Sequence, residues 1–371
     1  VIIVLKAEVA SDSEEVQRII DLAQSYPGVT TELHEIQGAT RTLVEIYLLG
    51  STGVIPTAPF EEFAGVEQVV RVTEKFRAIG RHAGGLEAVG FEYNGVHISQ
   101  DTLHLFPGLC AVDRRENVEA AFKGLHENGI VTTRAGVYKP RTSPYDFQGL
   151  GADCLPFVFE LAGKYGIRII AMEVTHESHI EEIQKALEQS GQATGVMLQI
   201  GTRNAQNFEL LKAVGQQTEL PVLFKRGMGI TLSESLNACE YVASSGNQRI
   251  VFCLRGMKTN LGDPHRNFVD FCHVPVVRRL TRLPVCIDPS HSVGSRAVAP
   301  DGLLDVFHAT AQGIIAGANI VLVDFHPKPE EALCDGPQAL LMNELPHFID
   351  DARIVREAYE ARIRRASPPA D

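Results

Sequence analysis

Paired cysteines are missing from this chain. Its seven cysteines, at 110, 154, 239, 253, 272, 286 and 334, stand singly in 371 residues, with no C-x-x-C among them. An odd number without that spacing argues against a disulfide framework and makes a reducing, cytoplasmic setting the default expectation. Long apolar runs are missing too. Nothing approaches the roughly 20 residues of a membrane span. Lys6 and Glu8 interrupt the apolar run near the first residue, so neither a signal peptide nor a membrane is expected. The third absence is basic excess. Lys and Arg number 34 against 46 Asp and Glu, a formal net charge of -12. That excludes the broad positive field of a nucleic-acid binder and makes any local cluster of cations informative.

What remains is an ordinary globular composition, 44% hydrophobic and 22% charged, with room for one large domain and a small one. Val1 to Leu5 reads as a strand. Ser11 or Asp12 can cap a helix that carries Val16, Ile19, Ile20 and Ala23 at helical spacing, and Pro27-Gly28 ends it. Strands over 29–36 and 43–49 flank a Gln37-Gly38 turn. A helical turn over 60–63 and a strand over 65–72 complete a β-α-β-β-α-β order, the ferredoxin-like α+β pattern, expected over residues 1–75 as a regulatory or assembly unit. Residues 76–103 read as a linker with one hairpin around Asn94-Gly95.

From residue 104 short apolar strands alternate with amphipathic helices. Strands are expected near 105–112, 129–134, 167–172, 195–200, 221–224, 249–253, 284–287 and 319–324. Helices are expected between them at 115–127, 152–164, 177–190, 204–214, 231–245 and 302–316. Eight such units over 104–365 predict a (β/α)8 TIM barrel. No Gly-x-Gly-x-x-Gly follows the first of these strands, which argues against a dinucleotide fold. Residues 366–371, rich in Pro and Ala, are expected to form a disordered tail.

Barrel chemistry sits where strands end and βα loops begin. The second strand leads to Arg134, Lys139 and Arg141, on a segment stiffened by Pro140 and Pro144 and supplied with hydroxyls by Thr142 and Ser143. The fourth leads to Arg203, the fifth to Lys225 and the sixth to Arg255. Consecutive cations on one rim predict a site for phosphate or carboxylate groups. The first, seventh and eighth strands bring a different set: Cys110, His291, Asp324 and Asp335. A thiolate, an imidazole and two carboxylates suit a divalent transition metal such as Mn²⁺, Co²⁺, Fe²⁺ or Zn²⁺.

Lys139-Pro140-Arg141-Thr142-Ser143-Pro144-Tyr145, followed by Phe147-Gln148-Gly149, resembles the signature of the type I 3-deoxy-D-arabino-heptulosonate 7-phosphate (DAHP) synthases. Gln199-Ile200-Gly201 with Arg203-Asn204, Lys225-Arg226-Gly227, Asp288-Pro289-Ser290-His291-Ser292 and Asp335-Gly336 are similar to its later blocks, in order. The first 75 residues resemble the regulatory domain of the β subgroup. The resemblance implies a metal-dependent aldol-type condensation of phosphoenolpyruvate with erythrose 4-phosphate, giving DAHP and phosphate. By the same likeness Arg134, Lys139, Arg203, Lys225 and Arg255 would hold phosphoenolpyruvate, and Arg141 and Thr142 the aldose and its phosphate. Cys110, His291, Asp324 and Asp335 would hold the metal, and Lys139 would serve as a proton donor. The resemblance further implies an aromatic amino acid effector at the small domain and a homodimer or homotetramer.

Four motifs depart from the family pattern. Asp324-Phe325-His326 stands for Glu-Val-His, and Cys253-Leu254-Arg255-Gly256 for Cys-Glu-Arg-Gly. Gly108-Leu109-Cys110-Ala111 stands for Gly-Pro-Cys-Ser, and His265 for the Thr before Arg-Asn. These departures leave two alternatives open: a paralogue that condenses phosphoenolpyruvate with a different phosphorylated or amino-substituted aldehyde, and a catalytically weak regulatory homologue. Leu254 is expected to remove a carboxylate near the substrates. His326 is expected to support the metal residues rather than to ligate, and Glu173 to stand behind the substrate groups.

Overall fold

The structure is a computed structural model that describes residues 1–37, 42–72, 76–82 and 90–366. Gly38 of the expected turn, residues 73–75 at the expected end of the small domain, and residues 367–371 of the expected tail lie outside the described residues.

The small sheet comprises β1 (Ile2–Leu5), β2 (Val29–Gln37), β3 (Thr42–Gly50) and β4 (Val66–Val70), with α1 (Glu14–Gln24) and α2 (Ala58–Glu61) between strands. Its order is β2-β3-β1-β4, antiparallel throughout, which is the ferredoxin-like arrangement. The cap of α1 is Ser13, not Ser11 or Asp12: its hydroxyl accepts from Val16 N at 3.4 Å, with Glu14 and Glu15 in the first turn. Both faces of the sheet are buried. Ile3, Leu5, Ile46 and Leu48 pack on Val16, Ile19 and Phe60. On the opposite face Ile2, Val4, Tyr47 and Val70 join the core of the barrel.

That second face also carries a buried ion pair between the two units. Arg282 Nη1 donates to Glu45 Oε1 at 2.7 Å, and each side chain is only 1% exposed. Tyr47 Oη donates to the other carboxylate oxygen at 2.9 Å, and Arg282 Nη2 donates to Ala78 O at 2.9 Å. Glu240 accepts from the backbone N–H groups of Arg77, Ala78 and Ile79 beside it. The contacts fall at the N-terminal ends of the barrel strands, away from the mouth.

The barrel strands are β7 (His104–Gly108), β8 (Thr132–Arg134), β9 (Ile169–Val174), β10 (Gly195–Ile200), β11 (Val222–Lys225), β12 (Ile250–Leu254), β13 (Val285–Ile287) and β14 (Ile320–Asp324). They pair in parallel in the order β7-β14-β13-β12-β11-β10-β9-β8. Around them run α3 (Arg115–Glu127), α4 (Leu155–Lys164), α5 (Ser178–Gln189), α6 (Phe208–Gln216), α7 (Leu232–Ser244), α8 (Val274–Leu280), α9 (Pro289–Val293), α10 (Asp305–Ile315) and α11 (Leu345–Ala366). The hairpin of β5 (Phe91–Tyr93) and β6 (Val96–Ile98) is the floor rather than a mere connector. Phe91, Val96 and Ile98 pack against the inward side chains Phe106, Ile169, Met197 and Ile320. Asn94 Nδ2 fastens the turn to Arg168 O at 2.7 Å.

The seam between β7 and β8 has little ladder. β8 has only three residues, and side chains do the joining. The hydroxyls of Thr132 and Thr133 donate to Leu105 O and Pro107 O, both at 2.6 Å, and Leu109 bridges Ala135. Gly108 permits the close approach, because a Cβ there would stand 2.0 Å from Arg134 O. This is also why the expected strand 105–112 stops at Gly108: beyond it the chain turns to bond across the seam, with Val112 N donating to Gly136 O at 2.8 Å. The helix expected over 204–214 starts at Phe208, where the side chain of Asn207 caps it, after a 3₁₀ turn at 202–204. Helices α8, α9 and α11 have no range assigned from the sequence, since their Pro-led starts hide the helical period.

Replacing Arg282 by Met strands a buried carboxylate, and we expect a loss on the order of 3–5 kcal/mol of stability. The double variant R282M/E45M should recover most of it. Thermal unfolding followed by circular dichroism reads both, and equal melting of R282M and wild type would show that the pair does not tie the units.

Candidate active site

At the C-terminal end of the barrel strands lies a cavity of about 190 Å³. Seven cations line it: Arg134, Lys139, Arg141, Arg203, Lys225, Arg255 and Arg266. Thr142 and His291 line it as well, while Cys110 and Asp324 are buried alongside them. The fold therefore brings together every residue expected from the sequence, although the nearest ones leave their charges in different states.

Three of the cations sit in pairs with both partners buried. Arg134 Nη1 donates to Asp324 Oδ1 at 2.5 Å, and Nη2 lies 3.5 Å from Cys110 Sγ. Its guanidinium thus braces the donor residues. Lys225 bonds Asp288. Lys139 Nζ lies 3.4 Å from Cys110 Sγ and 3.6 Å from Glu173. Burial opposes the charge on Lys139, but the Cys110 sulfur and the Glu173 carboxylate outweigh it and raise the ammonium above its usual range. Gly201 makes room for that carboxylate, since a Cβ there would meet Glu173 Oε1 at 1.8 Å.

Arg255 is different. Its side chain is buried, its Nε has no partner, and its Nη1 finds only Gly256 O at 3.4 Å. Burial lowers its pKa, as expected for a cation without a counter-charge at hydrogen-bond distance. Isolated buried charges are costly and persist where a ligand supplies the opposite sign. Arg203 Nη2 donates to Thr142 Oγ1 at 3.2 Å nearer the mouth.

Leu254 does not face this cavity. Along β12, Val251 and Cys253 point into the barrel, and Phe252 and Leu254 point out beneath the helices. The departure at 254 therefore concerns packing between sheet and helices, and the expectation that it removes a carboxylate from the substrates is corrected by the period of two along the strand.

Cys110, His291, Asp324 and Asp335 offer donor atoms that all lie within 4.8 Å of one another. Cys110 Sγ is 3.0 Å from Asp335 Oδ2 and 3.7 Å from His291 Nε2; His291 Nε2 is 3.5 Å from Asp335 Oδ2. The short helix α9 aims His291. Asp288 caps it by accepting from His291 N at 3.0 Å, and its carboxylate also receives His291 Nδ1. That bond leaves Nε2 free to ligate. Asp335 adopts a left-handed backbone, φ 55°, which an Asp tolerates and which turns its carboxylate toward Cys110. Asp324 Oδ2 receives Gln338 Nε2 at 2.5 Å, so this carboxylate is held from both sides. Sulfur, imidazole and carboxylate in one pocket fit a divalent transition metal. His326 is no ligand: its Nε2 pairs with Asp113 at 3.0 Å.

Two of the donors, His291 and Cys110, hold their protons tightly. Burial works against the charge on His291, but Asp288 and Asp324 overcome it and push its pKa up to about 10. The contact with Cys334, whose sulfur is 3.9 Å away, and complete burial push the Cys110 thiol well above its ordinary range. Burial would raise Asp335, yet the His291 hydrogen bond and charge hold it far below the usual carboxylate range.

Sequence reading missed Arg266, whose Nη1 donates to Asp335 Oδ1 at 2.9 Å and Gln338 Oε1 at 3.2 Å. It comes from the long loop after β12, where no strand end marks it. Asp288, visible only as part of a motif, organises both Lys225 and His291.

The DAHP synthetase I family profile matches residues 81–361. Phospho-2-dehydro-3-deoxyheptonate aldolase of Thermotoga maritima is 34% identical over 362 residues, covering 98% of this chain and 99% of its own. A 2-dehydro-3-deoxyphosphooctonate aldolase of Syntrophobacter fumaroxidans is more distant, 27% identical over 73% of this chain and 95% of its own. The crystal structure of the Thermotoga maritima DAHP synthase superposes with a TM-score of 0.68 at 33% identity, covering 96% of this chain and 97% of that one. A family match over most of the chain, a full-length relative and the same barrel-plus-small-sheet fold converge: the chain is an enzyme of the DAHP synthetase I family.

Proposed function

We propose that this chain condenses phosphoenolpyruvate with erythrose 4-phosphate to give DAHP and inorganic phosphate. The observation that carries the reading is Arg255, a buried guanidinium with no carboxylate at hydrogen-bond distance among the described residues, facing a cavity that six further cations line. In this reading Arg203, Lys225 and Arg255 take the phosphate and carboxylate of phosphoenolpyruvate. Arg141 and Thr142 take the phosphate of the aldose nearer the mouth. Arg134 contributes chiefly by bracing Asp324 and Cys110.

The cations hold two polyanions side by side that would otherwise repel each other, and so supply orientation. C3 of phosphoenolpyruvate attacks the aldehyde carbon, and water takes the cation left at C2. The resulting hemiketal phosphate loses inorganic phosphate to leave the ketone. Lys139 Nζ, kept charged by its neighbours, donates a proton to the new alkoxide oxygen. Cys110, His291, Asp324 and Asp335 would hold a divalent metal, Mn²⁺, Co²⁺, Fe²⁺ or Zn²⁺, which when bound supplies Lewis acidity toward the aldehyde oxygen. The small domain meets the barrel away from the mouth, which supports a part in assembly or effector binding over one in the chemistry. Among the described residues no helix is long and apolar enough to cross a membrane.

Three outcomes test this. Purified protein with phosphoenolpyruvate, erythrose 4-phosphate and Mn²⁺ should release phosphate and form the heptulosonate; phosphate release only with another aldehyde would overturn the substrate assignment. Arg255→Met should raise the KM for phosphoenolpyruvate on the order of a hundredfold, while the melting temperature of the ligand-free protein holds or rises because a bare buried charge is gone. Metal binding should release about two protons near neutral pH, one each from His291 and Cys110. Both pKa values are raised in the metal-free protein, so affinity should tighten as pH rises. Calorimetry in buffers of different ionisation enthalpy reads the proton count, and a value near zero would remove those two residues from the donor set.

A further inference from the structure

We infer that Asp146 is a specificity-determining residue, acting at the phosphate end of the acceptor aldehyde; this rests on the reading above that Arg141 and Thr142 receive that phosphate. Arg141 Nη2 lies 3.3 Å from Asp146 Oδ2, and its Nη1 reaches no further than Leu333 O at 3.5 Å. Asp146 is carried on the same stiffened loop, where its backbone N–H donates to Ser143 O at 3.3 Å, and its side chain is 45% exposed. It lines the cavity together with Arg141, Thr142 and Arg203.

The other carboxylates of the cavity have duties elsewhere. Glu173 faces Lys139 deep in the barrel, and Asp335 belongs to the donor cluster and Arg266. Asp146 alone among the lining carboxylates pairs with a cation of the outer end. A phosphate entering there must displace a carboxylate from Arg141 and then share the space with it. Two guanidinium groups against one carboxylate leave the outer end with a single net positive charge to meet a dianion. Asp146 thereby weakens the hold on a phosphorylated acceptor. It leaves an acceptor with a hydroxyl at the same position unaffected. It acts by electrostatics on binding, so its effect falls on acceptor affinity and not on the chemical step.

The test uses full-length protein stripped of metal and saturated with phosphoenolpyruvate, so that binding is read without turnover. Erythrose 4-phosphate and erythrose are titrated by calorimetry into wild type, Asp146→Asn and, as a control on the same stretch away from the cavity, Asp153→Asn. The expected result is erythrose 4-phosphate binding about two- to fivefold tighter in D146N, the range a half-exposed ion pair commands. The gain should shrink at high salt, and neither erythrose binding nor the D153N control should change. Equal binding in D146N would overturn the proposal, and weaker binding would show instead that Asp146 holds Arg141 in place. Turnover of the metal-loaded wild type with erythrose 4-phosphate reports separately on the assigned reaction, so the two failures are distinguishable.

Discussion

The site depends on a seam. β7 and β8 are the first two strands of the barrel, yet they meet mainly through two threonine hydroxyls and one bridge at Leu109 and Ala135. That junction carries Cys110 on one side and Arg134 and Lys139 on the other, so closing it assembles the thiol with the cations beside it. Across the next junction β14 brings Asp324 to Arg134, and α9 delivers His291 from β13. Residues 181 and 190 positions apart become neighbours because the sheet closes on itself. The backbone distances that Gly108 and Gly201 allow are part of the same construction.

Electrostatics divides the cavity by depth. At the bottom, buried carboxylates hold most cations in fixed pairs: Asp324 with Arg134, Asp288 with Lys225, Glu173 beside Lys139. Such pairs add little net stability, since desolvation offsets much of the attraction. Their contribution is to position, because each carboxylate also meets a second group: Gln338 for Asp324, His291 for Asp288, Gln199 for Glu173. Arg255 has no such partner among the described residues, so its charge is left for a ligand to meet. Nearer the mouth the cations are more exposed and the pairing is looser.

Much of this was legible in the sequence because the barrel converts chain order into position. Each strand end reaches the rim, so Arg134, Lys225, Arg255 and Asp324 could be placed by counting strands. Residues reached by other routes were not legible. Arg266 arrives on a long loop, and Gln338 on a 3₁₀ turn after β14, neither of which has a hydrophobic period. Helix α9 has five residues, too few to show amphipathic spacing, although Asp288 followed by Pro289 is the signal of a capped start. Leu254 was misread because a motif was treated as a list of site residues, whereas alternate side chains of a strand leave by opposite faces. The two buried faces of the small sheet were written in the unbroken apolar run of β1, which has no polar position to turn to solvent.

The docking of the small domain has a bearing on modularity. Ile2, Val4, Tyr47 and Val70 of the small sheet belong to the core of the barrel, and Glu45 lies within the contact. A barrel released from its first 75 residues would expose the apolar surface that Ile2, Val4, Tyr47 and Val70 cover, and a guanidinium shaped to a carboxylate no longer there. The two parts are thus separable in topology and inseparable in solvation. Recombining this barrel with another leading domain calls for an acid opposite Arg282, or for an apolar residue in its place.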